Sequence, residues 1–378
     1  RGVIGRRPEV LTDALDEVTI DADALRARVG SGVKWESVVP RASELGLAVL
    51  HGSTPDVSIA GYGLGGGVGW YARKHGLFTN SITAIELVTA DGRLRRVDDE
   101  HEPELFWALR GGGGSFGVVT AIEFRLFPIS EVYAGLLFFP WERSADVLHA
   151  WREWTETVPD EMTSVGRILQ FPPIDEVPEF LRGRSFVVVE AFFVGTAAEG
   201  DALLEPLRTL GPEIDTVAMV PPVGLSEMHM DPPDPMPYAG EGLLLGGLPT
   251  EAVDAFVAAA GPDSGSTLVS AEIRHTGGAL ARSGEGHGAL ATLPGEYMTF
   301  WVGMAFTDEM AARTRADLHR VTASLVGYRA GAYLNFEEEQ TEASTFYSSD
   351  TYTRLREVKA MVDPDELIRS NHPIPPAV

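Results

Sequence analysis

Residues 55–77 read PDVSIAGYGLGGGVGWYARKHGL, and a second glycine-rich stretch, residues 109–126, reads LRGGGGSFGVVTAIEFRL. Both stretches lead into hydrophobic sequence that is typical of an ordered core. Because glycine has no Cβ, a glycine-rich backbone allows a large flat or anionic ligand to approach closely. The alternative is that these glycines serve tight turns and close packing, with no ligand involved.

The common nucleotide-binding motifs do not explain either stretch. Residues 61–66 and 112–117 both satisfy G-x-G-x-x-G, but that pattern arises easily where glycines are this dense. A Rossmann fingerprint needs a buried strand directly before it, whereas residues 51–56 are rich in turn formers and the second stretch runs straight into a predicted strand. A P-loop needs Gly-Lys followed by Ser or Thr, which the sequence lacks. The pattern therefore argues against a nicotinamide-dependent dehydrogenase and a P-loop protein.

Composition excludes several further classes. The chain has 378 residues, with 30 Lys and Arg against 55 Asp and Glu, and this acidic balance disfavours nucleic acid and anionic membranes as partners. It has no cysteine, so disulfides, thiolate zinc sites and cysteine nucleophiles are excluded. No apolar run reaches the roughly 18 residues of a membrane span, and no His, Asp and Glu cluster suggests a metal site. We expect a soluble, cytoplasmic protein.

The hydrophobic pattern divides the chain into residues 1–128, 129–330 and 331–378. In the first part we expect an α+β unit with strands and helices at 18–21, 25–29, 35–45, 84–90, 93–97, 103–109 and 118–126. In the second we expect a sheet with helices on one side, from elements at 144–158, 186–193, 197–210, 268–275, 298–304 and 308–326. A Met- and Pro-rich stretch, residues 221–237, predicts a loop that either gates a cleft or is simply mobile. The third part predicts a helix that Asp363-Pro364 ends.

The order of the motifs resembles the FAD-binding domain of the vanillyl-alcohol oxidase superfamily, specifically the berberine-bridge-enzyme-like oxidoreductases. The matching residues are 52–55, 60–70, 73, 75–77, 86–92, 104–120, 333–336, 352, 354–355, 359, 363–364, 367 and 371–376. The resemblance is close over about residues 15–128 and 330–378, and looser between them, through residues 272–274 and 277–279. Matches at both ends, in the same order, are specific.

The resemblance implies an α+β fold with a PCMH-type FAD-binding domain made from residues 1–128 and 331–378. Residues 129–330 would form a substrate-binding domain, an antiparallel sheet backed by helices. The implied partners are FAD, a small-molecule substrate, and oxygen or another electron acceptor. Residues implied along the flavin and its phosphates are Gly52, Ser53, Thr54, Val57, Ser58, Gly61, Gly63, Leu64 and Gly67, with Val119 on the adenine side and Asn335 and Asn371 near the ring or ribityl chain.

Two departures from the family concern how the flavin is attached. Many members link it to a histidine in an R-x-G-G-H type loop, and often also to a cysteine at the position of Thr54. A cysteinyl link is impossible here, because the chain has no cysteine. The histidine loop is not found either, since the first histidine is His51, in another segment. We therefore expect a histidyl link only if a segment upstream of Arg1 carries that loop. The alternative is a degenerate family member.

Flavin oxidation of an alcohol or amine needs a base for the X–H proton. Tyr333 is the first candidate: it lies two residues before Asn335, so both face the same side of an extended segment, and the family tyrosine at this position serves as base or substrate anchor. A structural tyrosine is the alternative. Glu272 is a reserve candidate, because the favoured interpretation is a surface ion pair with Arg274, two residues along a predicted strand.

These residues predict an FAD-dependent oxidase or dehydrogenase that oxidises an alcohol or amine group of a small molecule. The resemblance makes a sugar or a secondary metabolite the expected substrate, and a bacterial protein the expected setting. The alternative is a member that uses its cleft for binding or for cofactor-free cyclisation.

Overall fold

The computed structural model describes residues 10–175, 177–232 and 236–377. The described strands are β1 Val18–Asp21, β2 Arg26–Gly30, β3 Ile82–Val88, β4 Leu94–Val97, β5 Val118–Arg125, β6 Val132–Pro140, β7 Met162–Gln170, β8 Ser185–Phe193, β9 Ile214–Asp215, β10 Ala218–Val220, β11 Tyr238–Glu241, β12 Leu244–Leu245, β13 Ser270–His275, β14 Tyr297–Met304 and β15 Arg329–Gly331. The described α-helices are α1 Val39–Glu44, α2 Ile59–Leu64, α3 Ala72–His75, α4 Pro103–Leu109, α5 Ser144–Thr155, α6 Ala197–Arg208, α7 Thr250–Ala260, α8 Asp308–Leu325 and α9 Ser349–Val362. The predicted α+β class is confirmed.

The smaller of two antiparallel sheets contains five of the described strands, in the order β1-β2-β5-β3-β4. The β3–β4 hairpin turns at the Asp91-Gly92 pair, where Gly92 has φ of +76°. Glycine adopts this conformation without the steric cost that a Cβ imposes. Trp35, Phe106 and Phe124 fill the core beneath this sheet.

The larger sheet contains ten of the described strands. Its main path is β10-β6-β8-β7-β13-β14-β12-β15, with β11 paired to β14 and β9 paired to β6. Alternate residues of its strands face two different cores. Ile168 and Val187 belong to a core that includes residues of helices α5–α8, whereas Val165 and Val188 belong to the core of the smaller sheet. The larger sheet therefore covers the glycine-rich segments on one face and carries helices on the other.

The C-terminal residues return to the smaller sheet. Leu355 and Val358 of α9, and Ile374 beyond it, are buried in the same core as the glycine-rich segments. Lys359 Nζ donates to the Ser115 carbonyl oxygen at 2.6 Å, which joins α9 to the second glycine stretch. The two ends of the chain thus build one core.

Among the described residues, no helix combines the length and apolar character needed to cross a bilayer.

Candidate functional site

The first glycine stretch forms a short helix and then a sharp turn. Residues Ile59–Leu64 make α2, and Gly66 and Gly67 follow with φ of +117° and +80°. The Gly67 N–H donates to the Tyr333 hydroxyl at 2.9 Å. The Gly113 N–H donates to the Leu64 carbonyl at 2.9 Å. The two glycine stretches and the Tyr333 segment therefore meet at one place.

Protein neighbours explain most of the glycines there. A Cβ on Gly65 would lie 1.7 Å from Asn335 Oδ1, one on Gly67 would lie 2.5 Å from Tyr62 Cε1, and one on Gly63 would lie 2.8 Å from Phe78. For these residues, close packing is a sufficient reason. Gly61 differs, because a Cβ there would meet nothing within 4 Å. Of these four glycines, Gly61 has its backbone open to an incoming ligand.

This contrast gives a test at Gly61. In Gly61→Leu, we expect the free energy of unfolding to stay the same or rise by roughly 0.5–1 kcal/mol, because glycine weakens a helix interior. We expect affinity for the ligand of this cradle, FAD on the family resemblance, to fall at least about tenfold, or 1.4 kcal/mol. Chemical denaturation and fluorescence titration with FAD measure the two quantities. Gly327→Leu is the matched control, because a Cβ at Gly327 also meets nothing within 4 Å. Unchanged FAD affinity in Gly61→Leu would reject close approach at this position.

The other predicted flavin contacts lie at different depths. Ser53, Thr54 and Ser58 are half-buried and Val57 is exposed, all on the loop before α2, whereas Gly52 is buried under Tyr62. Asn335 is exposed, and its amide nitrogen donates to the Tyr62 carbonyl at 3.0 Å and the Tyr333 hydroxyl at 3.1 Å. Asn371 is exposed and follows Ser370, which contacts the second glycine stretch at Ser115. Val119 is buried in β5 and belongs to the core.

This surface fits the cofactor that the resemblance implies. In the first turn of α2, the Ile59 N–H donates to the Val33 carbonyl at 3.0 Å, the N–H groups of Ala60 and Gly61 have no acceptor inside the helix, and no acidic residue stands in that turn. Backbone donors suit a pyrophosphate because they bring positive dipole ends without side-chain bulk. The open space at Gly61 lies on the same helix, and the exposed amide of Asn335 lies beside Gly65. These are the residues that would hold FAD.

Tyr333 has an unusual environment for a tyrosine. The ring is buried, and the hydroxyl oxygen accepts the Gly67 N–H and the Asn335 amide. Burial raises the pKa of Tyr333 to about 12, although both donors and the charge of Arg274 act in the opposite direction. The phenol is therefore neutral at physiological pH, and the surrounding donors favour its deprotonated form once it loses the proton.

Five charged side chains, four of them buried and Arg274 half-buried, form a charge cluster on the face of the larger sheet that covers the glycine stretches. They are Arg167 on β7, Glu190 on β8, Glu272 and Arg274 on β13, and His229 on the loop of residues 225–232. Arg274 Nε and Nη2 lie 2.7 and 2.6 Å from Glu272 Oε1. Arg167 Nη1 lies 2.9 Å from Glu190 Oε1. His229 lies between the two glutamates, with Nδ1 2.8 Å from Glu190 and Nε2 3.0 Å from Glu272.

The cluster corrects the surface ion pair that the sequence suggested for Glu272 and Arg274. Glu272 is 1% exposed, because the smaller sheet and its loops cover this face. Burial favours a raised pKa for Glu272, but Arg274, His229 and Arg167 outweigh burial and hold the pKa well below its usual range. Burial and Arg167 lower the pKa of His229, but Glu190, Glu272 and Asp231 outweigh them and raise it to about 9. Glu272 is therefore ionised and His229 protonated at neutral pH.

A cavity of about 20 Å³ joins the cluster to the predicted flavin contacts. Its lining includes Ser53 and Trp70 on one side and Thr163 and Arg274 on the other. The volume suits about one water molecule. The indole N–H of Trp70 has no hydrogen-bond partner among the described residues. Such an orphaned buried donor marks a place where a polar group belongs.

Sequence analysis did not identify His229 or Glu190. Neither residue lies at a motif spacing from Glu272, and both reach it through sheet register and loop packing. The Met- and Pro-rich composition around His229 indicated a loop near the cleft, and that was the available signal. Its residues 233–235 lie outside the described residues.

Two family models match parts of this chain. Residues 9–98 match a family model described as an FAD binding domain, and residues 332–375 match one described as berberine and berberine like. The (R)-6-hydroxynicotine oxidase of Paenarthrobacter nicotinovorans is 31% identical over 385 residues, covering 96% of this chain and 80% of that protein. The xylooligosaccharide oxidase of Thermothelomyces thermophilus is 34% identical over 157 residues, covering 40% of this chain and 32% of that protein.

Solved structures show the same fold. The BBE-like 1 protein of Physcomitrella patens superposes with a TM-score of 0.82 at 21% identity, covering 97% of this chain and 81% of that chain. The predicted PCMH-type fold, with its antiparallel sheets and backing helices, is confirmed.

Proposed function

Since this chain belongs to the berberine-bridge-enzyme-like FAD-linked oxidoreductases, we propose that it oxidises an alcohol or amine group of a small molecule, with oxygen or another acceptor as the final oxidant. Its cofactor is FAD, and the lack of cysteine excludes a cysteinyl link. Bound FAD supplies the hydride acceptor. The oxidoreductase function takes precedence over the non-redox alternative, because the family match covers nearly the whole chain.

The environment of the Tyr333 hydroxyl is the observation that carries this proposal. A tyrosine can accept the X–H proton only as the tyrosinate, so its oxygen must carry a negative charge before the proton is transferred and becomes neutral afterwards. The N–H groups of Gly67 and Asn335 point at that oxygen, and the charge of Arg274 favours the deprotonated form. Donors of this kind stabilise the tyrosinate, the form that accepts the proton. We assign Tyr333 as the proton acceptor.

Glu272 has a different role in this proposal. Its carboxylate is ionised, but its pairing with Arg274 and His229 makes it a weak base. A fixed, buried carboxylate is suited to accept a hydrogen bond from the O–H or N–H group of a substrate. Glu272 thus orients the substrate, and Tyr333 takes the proton.

The relatives suggest which compounds to test first. One relative is named for the oxidation of 6-hydroxynicotine, a cyclic amine, and another for the oxidation of xylooligosaccharides. FAD-loaded protein should be mixed anaerobically with 6-hydroxynicotine, xylooligosaccharides and a series of aromatic alcohols, while the oxidised flavin absorption is followed. We expect one class to bleach the flavin in a saturable manner. Protein that takes up FAD but is bleached by neither alcohols nor amines would contradict the proposed reaction. Protein that takes up no FAD would favour the binding or cyclisation alternative.

A further inference from the structure

The loop of residues 225–232 connects the two sides of the site. His229 faces the larger sheet, where it contacts Glu190 and Glu272. Asp231, two residues later, accepts a hydrogen bond from Thr54 on the loop before α2. Met230 between them has φ of +60°, a left-handed conformation that a side chain of this size rarely adopts. Strain of this kind persists only where contacts on both sides hold it.

The imidazole of His229 lies between two carboxylates, with Arg274 Nη2 3.5 Å from Nε2 and the Trp70 ring edge-on to it. Nδ1 is hydrogen-bonded to Glu190 Oε2 at 2.8 Å, and Nε2 lies 3.0 Å from Glu272 Oε2, which is an ion-pair distance. A ring protonated on both nitrogens places its positive charge beside both carboxylates. The groups facing His229 are Arg167 from β7, Glu190 from β8, Glu272 and Arg274 from β13, and Asp231 from its own loop. With His229 protonated, three cations face three carboxylates and the buried region is neutral.

We propose that His229 is a positioning residue for Glu272: its imidazolium, held between Glu190 and Glu272, fixes the orientation of the Glu272 carboxylate and balances its charge. Glu272 Oε1 is held by Arg274 through a hydrogen bond, and Oε2 forms an ion pair with His229 at 3.0 Å. Loss of either partner frees one oxygen of the group that meets the substrate. This inference rests on the proposed function only in giving Glu272 contact with the substrate; the geometry of the pair is independent of it.

A histidine with only a structural role would fill the same volume. The test must therefore show whether the protonation of His229 depends on Glu272 or on Glu190 alone. The experiment follows the ring nitrogens of selectively ¹⁵N-histidine-labelled, FAD-loaded protein by NMR as the pH is raised. His229→Gln identifies the signal by its loss. Glu272→Gln and Glu190→Gln are the two test variants. His149, which pairs with exposed Asp254 at 2.7 Å, is an internal control within the same spectra.

We expect His229 to titrate near pH 9 in the unchanged protein. Glu272→Gln should lower that midpoint by at least about one pH unit, because the neutral amide no longer stabilises the protonated ring. One pH unit corresponds to about 1.4 kcal/mol of interaction that favours the protonated form. The ring signals of His149 should be the same in the variants and the unchanged protein. If Glu190→Gln lowers the midpoint and Glu272→Gln does not, His229 is tied to Glu190 alone and the proposal is wrong.

Glu272→Gln leaves Arg274 without its carboxylate, so a second measurement covers the case in which it does not fold. In the unchanged protein at about pH 8, which is above the usual histidine pKa of about 6.5, His229 must carry protons on both nitrogens. A neutral ring at that pH would overturn the proposal. Neither measurement uses a substrate. A protein that is inactive in the substrate screen would therefore contradict the proposed function without testing the role of His229.

The raised pKa of His229 also predicts how the stability of the protein changes with pH. A histidine whose pKa is raised on folding contributes stability fully below its unfolded pKa, and that contribution is lost as the pH rises through its folded pKa. For His229 the loss falls between about pH 6.5 and 9. Subtracting the profile of His229→Gln from that of the unchanged protein should isolate this loss, and a difference that is flat over that interval would contradict a charged His229.

Discussion

Replacing Asp363 with alanine is expected to lower the free energy of unfolding by about 3–5 kcal/mol, because it leaves a buried ammonium without its counter-charge. Lys359 and Asp363 have side chains that are each 1% exposed, and they lie 2.5 Å apart. Lys359 also donates to the carbonyl oxygens of Ser115 and Ile368. Asp363 accepts the N–H groups of Leu367 and Ile368 at 2.8 Å each. One substitution thus breaks the pair and frees the segment that returns to the glycine stretch.

The exposed pair between Arg354 and Glu104 is the control for this substitution. It also joins α9 to α4, through two hydrogen bonds of 2.9 Å, but its side chains are 44% and 55% exposed. Glu104→Gln should therefore cost no more than about 1 kcal/mol. Combining Lys359→Met with Asp363→Leu should restore only the part of the loss that comes from the unpaired charge, because the carbonyls of Ser115 and Ile368 and the N–H groups of Leu367 and Ile368 lose these partners. Equal, small losses in Asp363→Ala and Glu104→Gln, measured by denaturant unfolding, would contradict this view of the C-terminal segment.

Sequence patterns located the elements whose faces differ in polarity or whose ends carry a stop signal. The predicted helix at 308–326 corresponds to Asp308–Leu325, and the predicted strand at 118–126 to Val118–Arg125. Strands β6 and β7 were missed. Eight of the nine residues in each are buried, so neither shows the alternation that identifies a half-exposed strand. Helix α2 was missed because glycine disfavours helices, and here packing of Tyr62 against Trp35 and Phe78 prevails.

The candidate site likewise contains residues that the sequence predicted and residues that it did not. Resemblance placed Tyr333, Asn335 and the glycine stretch together, and the hydrogen bonds of Tyr333 join them in the structure. The charge cluster depends on register instead. Arg167 pairs directly opposite Glu272 across β7 and β13, and Glu190 lies on the next strand. Such neighbours are set by strand order, which the local pattern of one sequence does not encode. Glu272 was therefore predicted without the partners that determine its charge.

Replacing Tyr333 with phenylalanine is expected to slow flavin reduction by substrate about 10²–10⁴-fold, the usual contribution of a general base. The substitution removes one oxygen and keeps the ring, which packs against Phe336 with centroids 5.2 Å apart. Flavin content should stay the same, since the N–H groups of Gly67 and Asn335 belong to segments that the rest of the core holds. Anaerobic stopped-flow measurement of the flavin absorption gives the rate, and the bound flavin is quantified separately. Tyr297→Phe is the control, because that buried hydroxyl meets Thr155 Oγ1 at 2.7 Å and its ring belongs to the core on the helix side of the larger sheet.

The pH dependence of the rate of flavin reduction distinguishes the two candidates for the base, the Tyr333 phenol and the Glu272 carboxylate. Burial raises the pKa of Tyr333 to about 12, so the deprotonated fraction grows about tenfold per pH unit below that value. If Tyr333 is the base, the rate of flavin reduction should rise with pH through the alkaline range, and Tyr333→Phe should abolish that rise. If Glu272 is the base, the rate should be level there, because the neighbouring cations hold the pKa of Glu272 well below its usual range and the carboxylate is already ionised. A level profile together with an unimpaired Tyr333→Phe would transfer the proton-accepting role to Glu272, and with it the catalytic importance of the cations that surround it.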